Sequence, residues 1–305
     1  MVVLESLFPV FALIGLGMFL KAYRFTNDSF LRVSDRLIYY IFFPVMLFWK
    51  IGSAHPTALV DKRFFLAVFA ALLCIFVLST LYIIFLKVPD FQVGTFSQSC
   101  YRFNTYVGMA IILTAMGETG VQYFGILIGM VIPAINILAV TILIWYSGAV
   151  YTARQRILIT LKALGSNPLI LACLAGYWFS KTGLSFPVFI SNTFQLASWA
   201  TLPLALLSIG GALDFKTLKG YLRLAAVGSV FKLCLLPLIG YGFLILFKVN
   251  HEPFKVAMIF FTLPASSAIY VLSSQLNSDT QLASASIVLS TILSFFTLSA
   301  ALLID

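Results

Sequence analysis

Ten long apolar runs organise this chain. They lie near residues 2–21, 34–52, 64–86, 94–116, 121–146, 167–181, 187–213, 223–247, 254–274 and 281–303. A helix needs about 20 apolar residues to cross the hydrocarbon of a bilayer. The sixth run falls short of that unless its helix starts within ILITLKALGS. Barrel strands would give short alternating segments, whereas these runs are continuous. A soluble core fails on composition. Hydrophobic residues make up 61% of the 305 and charged ones only 10%, against roughly 25% charged in soluble domains. The expectation is an all-α integral membrane protein with ten transmembrane helices, short connections and no inserted soluble domain.

The first run carries only Glu5 as an early charge, with no basic leader and no small-residue cleavage site. It is read as a retained first helix. The net charge of +9 does not point to nucleic acid, because the 19 basic residues are spread over the connecting segments without a basic stripe. Their distribution instead sets an orientation. With the N-terminus outside, the inner connections hold eleven Lys and Arg and the outer ones six, which favours both termini outside a cell membrane. The remaining two, Arg102 and Lys232, fall inside apolar runs.

Enzyme motifs do not appear. There is no HExxH, GxSxG or P-loop, and His55 and His251 sit in connections. Cys74, Cys100, Cys173 and Cys234 are far apart in apolar runs, with no CxxC pair, and read as buried free thiols. No enzyme, cofactor or metal site is expected.

Sliding the chain on itself by 159 residues aligns Pro9 with Pro168, Gly17 with Gly176, Leu37 with Leu196, Pro44 with Pro203 and Gly52 with Gly211. Proline and glycine constrain the backbone directly, so shared positions suggest shared helix shapes. Each unit, 1–150 and 151–305, holds five helices. Five is odd, so the second copy enters the membrane from the opposite side. A 5+5 inverted repeat is an architecture of secondary transporters, whose sites lie at the midplane where broken helices meet.

The same shift sets YRFNTYVG in helix 4 against FTLPASSA in helix 9, with Thr105 opposite Pro264. Both are polar or small interruptions halfway along a span. Non-helical backbone at membrane depth persists only where it is buried or lines a wet cavity. The ten acidic residues all lie at or near expected helix ends or connections, so Arg102 has no buried carboxylate to serve it. It either binds an incoming anion through its guanidinium fork or reaches back to an interface. Asn104 and Thr105 either cap the half-helix that follows or bond to a neighbouring helix. Pro264, Ala265, Ser266 and Ser267 line a site or form a packing kink. Gly108 permits close approach, and Asn136, near Pro133, is a candidate to reach the break. Lys232 is a counter-charge or a snorkelling side chain. Gly125 and Gly129 in GILIG fit GxxxG, for which packing is a stronger reading than dimerisation.

At these residues the chain resembles the auxin efflux carrier family. YRFNTYVGMAIILTAMGETG is similar to that family's helix 4. LPASSAIYVLSSQLNSDTQLASASIVLSTILSF is similar to its helices 9 and 10, and NPLILACLAGYWFSKTG and LPLALLSIGGAL to helices 6 and 7. The resemblance spans the chain. It implies helices 4 and 9 that break and cross at the substrate site, a scaffold of helices 1, 2, 6 and 7, and a moving domain of helices 3–5 and 8–10. It also implies elevator-type transport of organic anions such as auxin, malate or malonate, and a homodimer as in plant members. Arg102, two positions before the asparagine, follows the bacterial pattern. Phe103 stands where plant carriers have proline, and their long loop between helices 5 and 6 is missing.

The expected function is therefore secondary transport of a small organic anion by alternating access, with lipid as the surroundings. Sodium or proton coupling on the same fold is the alternative, although the lack of buried Asp or Glu argues against a carboxylate relay. An anion channel or a membrane sensor is the reading from another class.

Overall fold

The computed structural model describes residues 2–53, 62–146 and 152–304; His55 lies outside them. Among the described residues the chain is helix and turn, with no strand. In chain order the helices are α1 (Val2–Ala22), α2 (Asp28–Leu37), α3 (Phe43–Gly52), α4 (Lys62–Phe85), α5 (Asp90–Tyr101), α6 (Thr105–Tyr146) and α7 (Ala153–Gly165). They continue as α8 (Pro168–Lys181), α9 (Val188–Ala212), α10 (Leu218–Val230), α11 (Leu236–Leu246), α12 (His251–Thr262), α13 (Ala268–Gln275) and α14 (Thr280–Leu302). Six helical stretches among them are long and apolar enough to cross a membrane.

Several of the ten runs are interrupted for identifiable reasons. Gly117, at φ 62° and ψ −151°, divides α6 into two arms, in a conformation that disfavours side chains. It falls in the expected gap between helices 4 and 5. Lys50 and Glu118 pair beside it at 2.5 Å. Two wide π turns, Ile38–Phe42 and Phe231–Leu235, join α2 to α3 and α10 to α11. Each precedes a proline by two residues, Pro44 and Pro237. Proline lacks an N–H and crowds the carbonyl four residues back. One wide turn accommodates this: Phe43 N–H bonds Ile38 O, and Leu236 N–H bonds Phe231 O. The short sixth run gives the 14-residue α8. Its N-cap Asn167 accepts from Leu169 and Ile170 N–H, so the preceding α7 is a separate helix.

The described residues fall into two compact units. The first lies within Met1–Val60, Tyr106–Pro133 and Leu164–Leu213. There α1 packs on α9, and α3 on α8. Glycines set these approaches. A Cβ on Gly17 would lie 2.1 Å from Leu207 O, one on Gly210 1.9 Å from Ile14 O, and one on Gly176 3.0 Å from Phe48 O. Gly125 and Gly129 face Ile51 and Cys173, so the GxxxG pair is used in packing within the chain. Asp35 accepts a hydrogen bond from Ser208.

The second unit lies within Asp61–Thr105, Ala134–Ala163 and Asp214–Asp305. Here α10 packs on α14, α4 on α11 and α5, and α12 on α11 and α14. All four cysteines are free, but only Cys100 and Cys173 are buried. Cys74 is half-buried and Cys234 exposed, because both lie on outward sides of apolar helices where lipid rather than protein is the natural neighbour.

Candidate functional site

The candidate site is built from two backbone breaks in the second unit. Helix α5 ends at Tyr101, and Arg102 turns extended at φ −74°, ψ 136°. Residues 102–104 are non-helical, and α6 begins at Thr105. In a continuous helix Asn104 N–H would bond Cys100 O; it donates instead to Pro264 O at 2.9 Å. The helix thus breaks although Phe103 stands in place of proline. A tertiary hydrogen bond does what the imino ring does elsewhere, and the Phe103 ring packs edge-on against Phe260 at 4.6 Å.

The second break runs from Leu263 through Ser267, between α12 and α13. Pro264 supplies no N–H, and its ring opposes continuation of α12. The freed groups are accounted for individually. Ala265 N–H donates to Ser290 Oγ at 3.0 Å. Thr262 O accepts from Thr297 Oγ1 at 3.3 Å, and Phe261 O accepts from Lys232 Nζ at 3.0 Å. Both α5 and α12 are 12 residues long, so each break follows a half-helix of equal length.

Arg102 is 9% exposed and does not reach back to an interface. Its Nη2 donates to Asn136 Oδ1 at 2.6 Å and its Nη1 to Gln98 Oε1 at 3.2 Å. Both acceptors are amide oxygens, and together they orient the guanidinium. The structure therefore gathers Arg102 with Asn136 and Gln98, and Asn104 with Pro264. Thr105 opens α6 half-buried; Pro264 and Ala265 are buried, Ser266 half-buried and Ser267 exposed. Gly108, also buried, follows one turn along α6 in the first unit. Two half-helix N-termini, at Thr105 and Ala268, lie at the breaks with the positive end of the helix dipole, and at the second the Ala268, Ile269 and Tyr270 amides bond to Ser266 Oγ, Ser266 O and Ser267 O.

Sequence reasoning missed part of this unit. The expectation that no acidic residue is buried is wrong for Asp279, which is 3% exposed. It caps α14 by accepting from Gln281 and Leu282 N–H and also accepts from Gln92 Nε2 at 3.1 Å. Thr95 closes over the same turn through Ser273 and Ser278. A cap aspartate looks like a loop residue in sequence; it is buried because α5 covers it. Nothing in the sequence separates Ser290 and Thr297 from the many other hydroxyls on α14. Lys232 is fully buried, so it does not snorkel. Among the described residues no cluster of His, Cys, Asp and Glu is placed to hold a metal ion.

Comparison with known proteins gives the family. A family model described as membrane transport protein matches residues 2–302. The chain is also similar to an uncharacterized transporter of Methanocaldococcus jannaschii, at 21% identity over 306 residues, covering 98% of this chain and 97% of that protein.

Proposed function

Because the chain belongs to the auxin efflux carrier family of membrane transport proteins, we propose that it is a secondary transporter of a small organic anion working by alternating access. The observation that carries the reading is the pair of backbone breaks joined by Asn104 N–H to Pro264 O, with Arg102 held at the first of them. Broken spans at corresponding positions are where secondary transporters bind substrate. An oriented, buried guanidinium and two half-helix N-termini favour a carboxylate. In this reading Arg102, Asn104, Thr105, Ser266 and Ser267 contact the anion, Asn136 positions Arg102, Pro264 and Ala265 keep the break open, and Gly108 allows close approach.

The finer architecture belongs to the same proposal. Ten spans form two inverted repeats, 1–150 and 151–305, with helices 4 and 9 crossing. Helices 1, 2, 6 and 7 act as scaffold while helices 3–5 and 8–10 move as an elevator, in a homodimer of the cell membrane with both termini outside. The α1–α9 and α3–α8 pairings support the repeat, since the 159-residue shift turns one pair into the other. Carboxylates of the malate or malonate type, or an auxin-like acid, are the proposed substrates.

A thermal-shift screen of purified protein against mono- and dicarboxylates tests this, since a ligand that binds the folded state stabilises it by mass action. Saturable stabilisation by a carboxylate, lost in Arg102→Ala, is expected. Stabilisation that survives Arg102→Ala unchanged would remove Arg102 from the site. Burial of Asp279 gives the proton-coupled alternative a carboxylate it lacked in sequence; uptake across an imposed pH gradient distinguishes it.

A further inference from the structure

Lys232 is the second residue of the π turn Phe231–Leu235. Its side chain is fully buried. Its Nζ donates to Phe261 O at 3.0 Å and stands 5.8 Å from the centroid of the Phe260 ring. Burying a cation is costly unless something needs it there.

The need is found in the backbone of α12. In an unbroken helix Phe261 O would accept from Ala265 N–H, but that amide is bound to Ser290 Oγ. Phe261 O is thus a released carbonyl at the C-terminal, negative end of a half-helix. Such ends, with nearby unwound carbonyls and hydroxyls, are where carriers with discontinuous helices coordinate a coupling cation. Here a side-chain amine tethered to the chain already occupies the carbonyl. The fold supports the placement twice. The wide turn before Pro237 carries the lysine, and Gly240 admits Phe261: a Cβ there would fall 2.2 Å from the Phe261 ring, so only glycine lets α11 and α12 lie this close.

We infer that Lys232 is a resident cation, its ammonium taking the place on the α12 terminus that a sodium ion would hold, so that this carrier operates without sodium at that position. The inference rests on the transport reading of the two breaks. Lys232 is a positioning residue: it fixes the Phe261 carbonyl and with it the start of the second break.

The test is the melting of purified full-length protein in sodium chloride against choline chloride at equal ionic strength, which needs no transport. Wild type is expected to melt within about 1 °C in the two salts. Lys232→Ser, which leaves room and an extra oxygen, melts lower in choline and recovers saturably with sodium by about 3 °C or more. Lys232→Met, which fills the stem's volume without charge, melts lower and does not recover. A saturable sodium-dependent rise in wild type overturns the inference, and that arm requires no variant to fold. A folded Lys232→Ser that sodium leaves unmoved overturns it too, as does Lys232→Met melting like wild type. Failure of every carboxylate to be transported would instead sink the transport reading and leave these melting results standing.

Discussion

Arg102 illustrates how a buried charge becomes useful. Alone at membrane depth an arginine costs about 2.5–3.5 kcal/mol on insertion scales. Here Gln98 and Asn136 orient it by accepting hydrogen bonds from its guanidinium. Their hydrogen bonds to a charged group should each contribute about 1.5–3 kcal/mol. Asn136→Leu is therefore expected to lower stability by about that amount in wild type and by much less in an Arg102→Met background. A double-mutant cycle on melting measures the coupling, and additive effects would show that the contact does not matter. Asp279→Ala removes a cap that also accepts from Gln92. A loss of about 1–2 kcal/mol is expected, read as a lower melting midpoint.

At the scale of helices, what was readable followed proline and glycine. Pro264 announced the second break because its missing N–H has the same consequence in any context. The first break depends on Asn104 N–H finding Pro264 O, a bond between residues 160 apart in sequence that no local pattern around Phe103 reveals. The π turns before Pro44 and Pro237 were readable as proline sites but not as wide turns. Two predictions belong here. Ser290→Ala leaves the buried Ala265 N–H without its acceptor and should cost about 1–3 kcal/mol, whereas Ser299→Ala, an exposed hydroxyl on the same helix, should cost little. Gly17→Ala places a methyl against the Leu207 carbonyl. Backbone cannot move aside as a side chain tip can, so a loss of about 1–3 kcal/mol is expected, while Gly15→Ala, with open space around it, should be neutral or better. Equal melting of the two glycine variants would contradict the packing of α1 on α9.

For the whole molecule, composition and run length identified a multi-pass helical membrane protein, and the repeat pointed to a carrier rather than an enzyme. Burial at the ends of helices was not readable, as Asp279 shows, because sequence does not reveal which turns are covered by other helices. The central claim is that the two breaks and Arg102 form the substrate site of an organic-anion carrier. Uptake of labelled malonate, malate and an indole carboxylate into proteoliposomes tests it most directly, with wild type and Arg102→Ala reconstituted at matched density and matched melting behaviour. The account predicts saturable uptake of at least one of these acids by wild type and a fall of about tenfold or more in Arg102→Ala, which corresponds to about 1.4 kcal/mol. Uptake that rises linearly without saturating, or that is unchanged in Arg102→Ala, would contradict it.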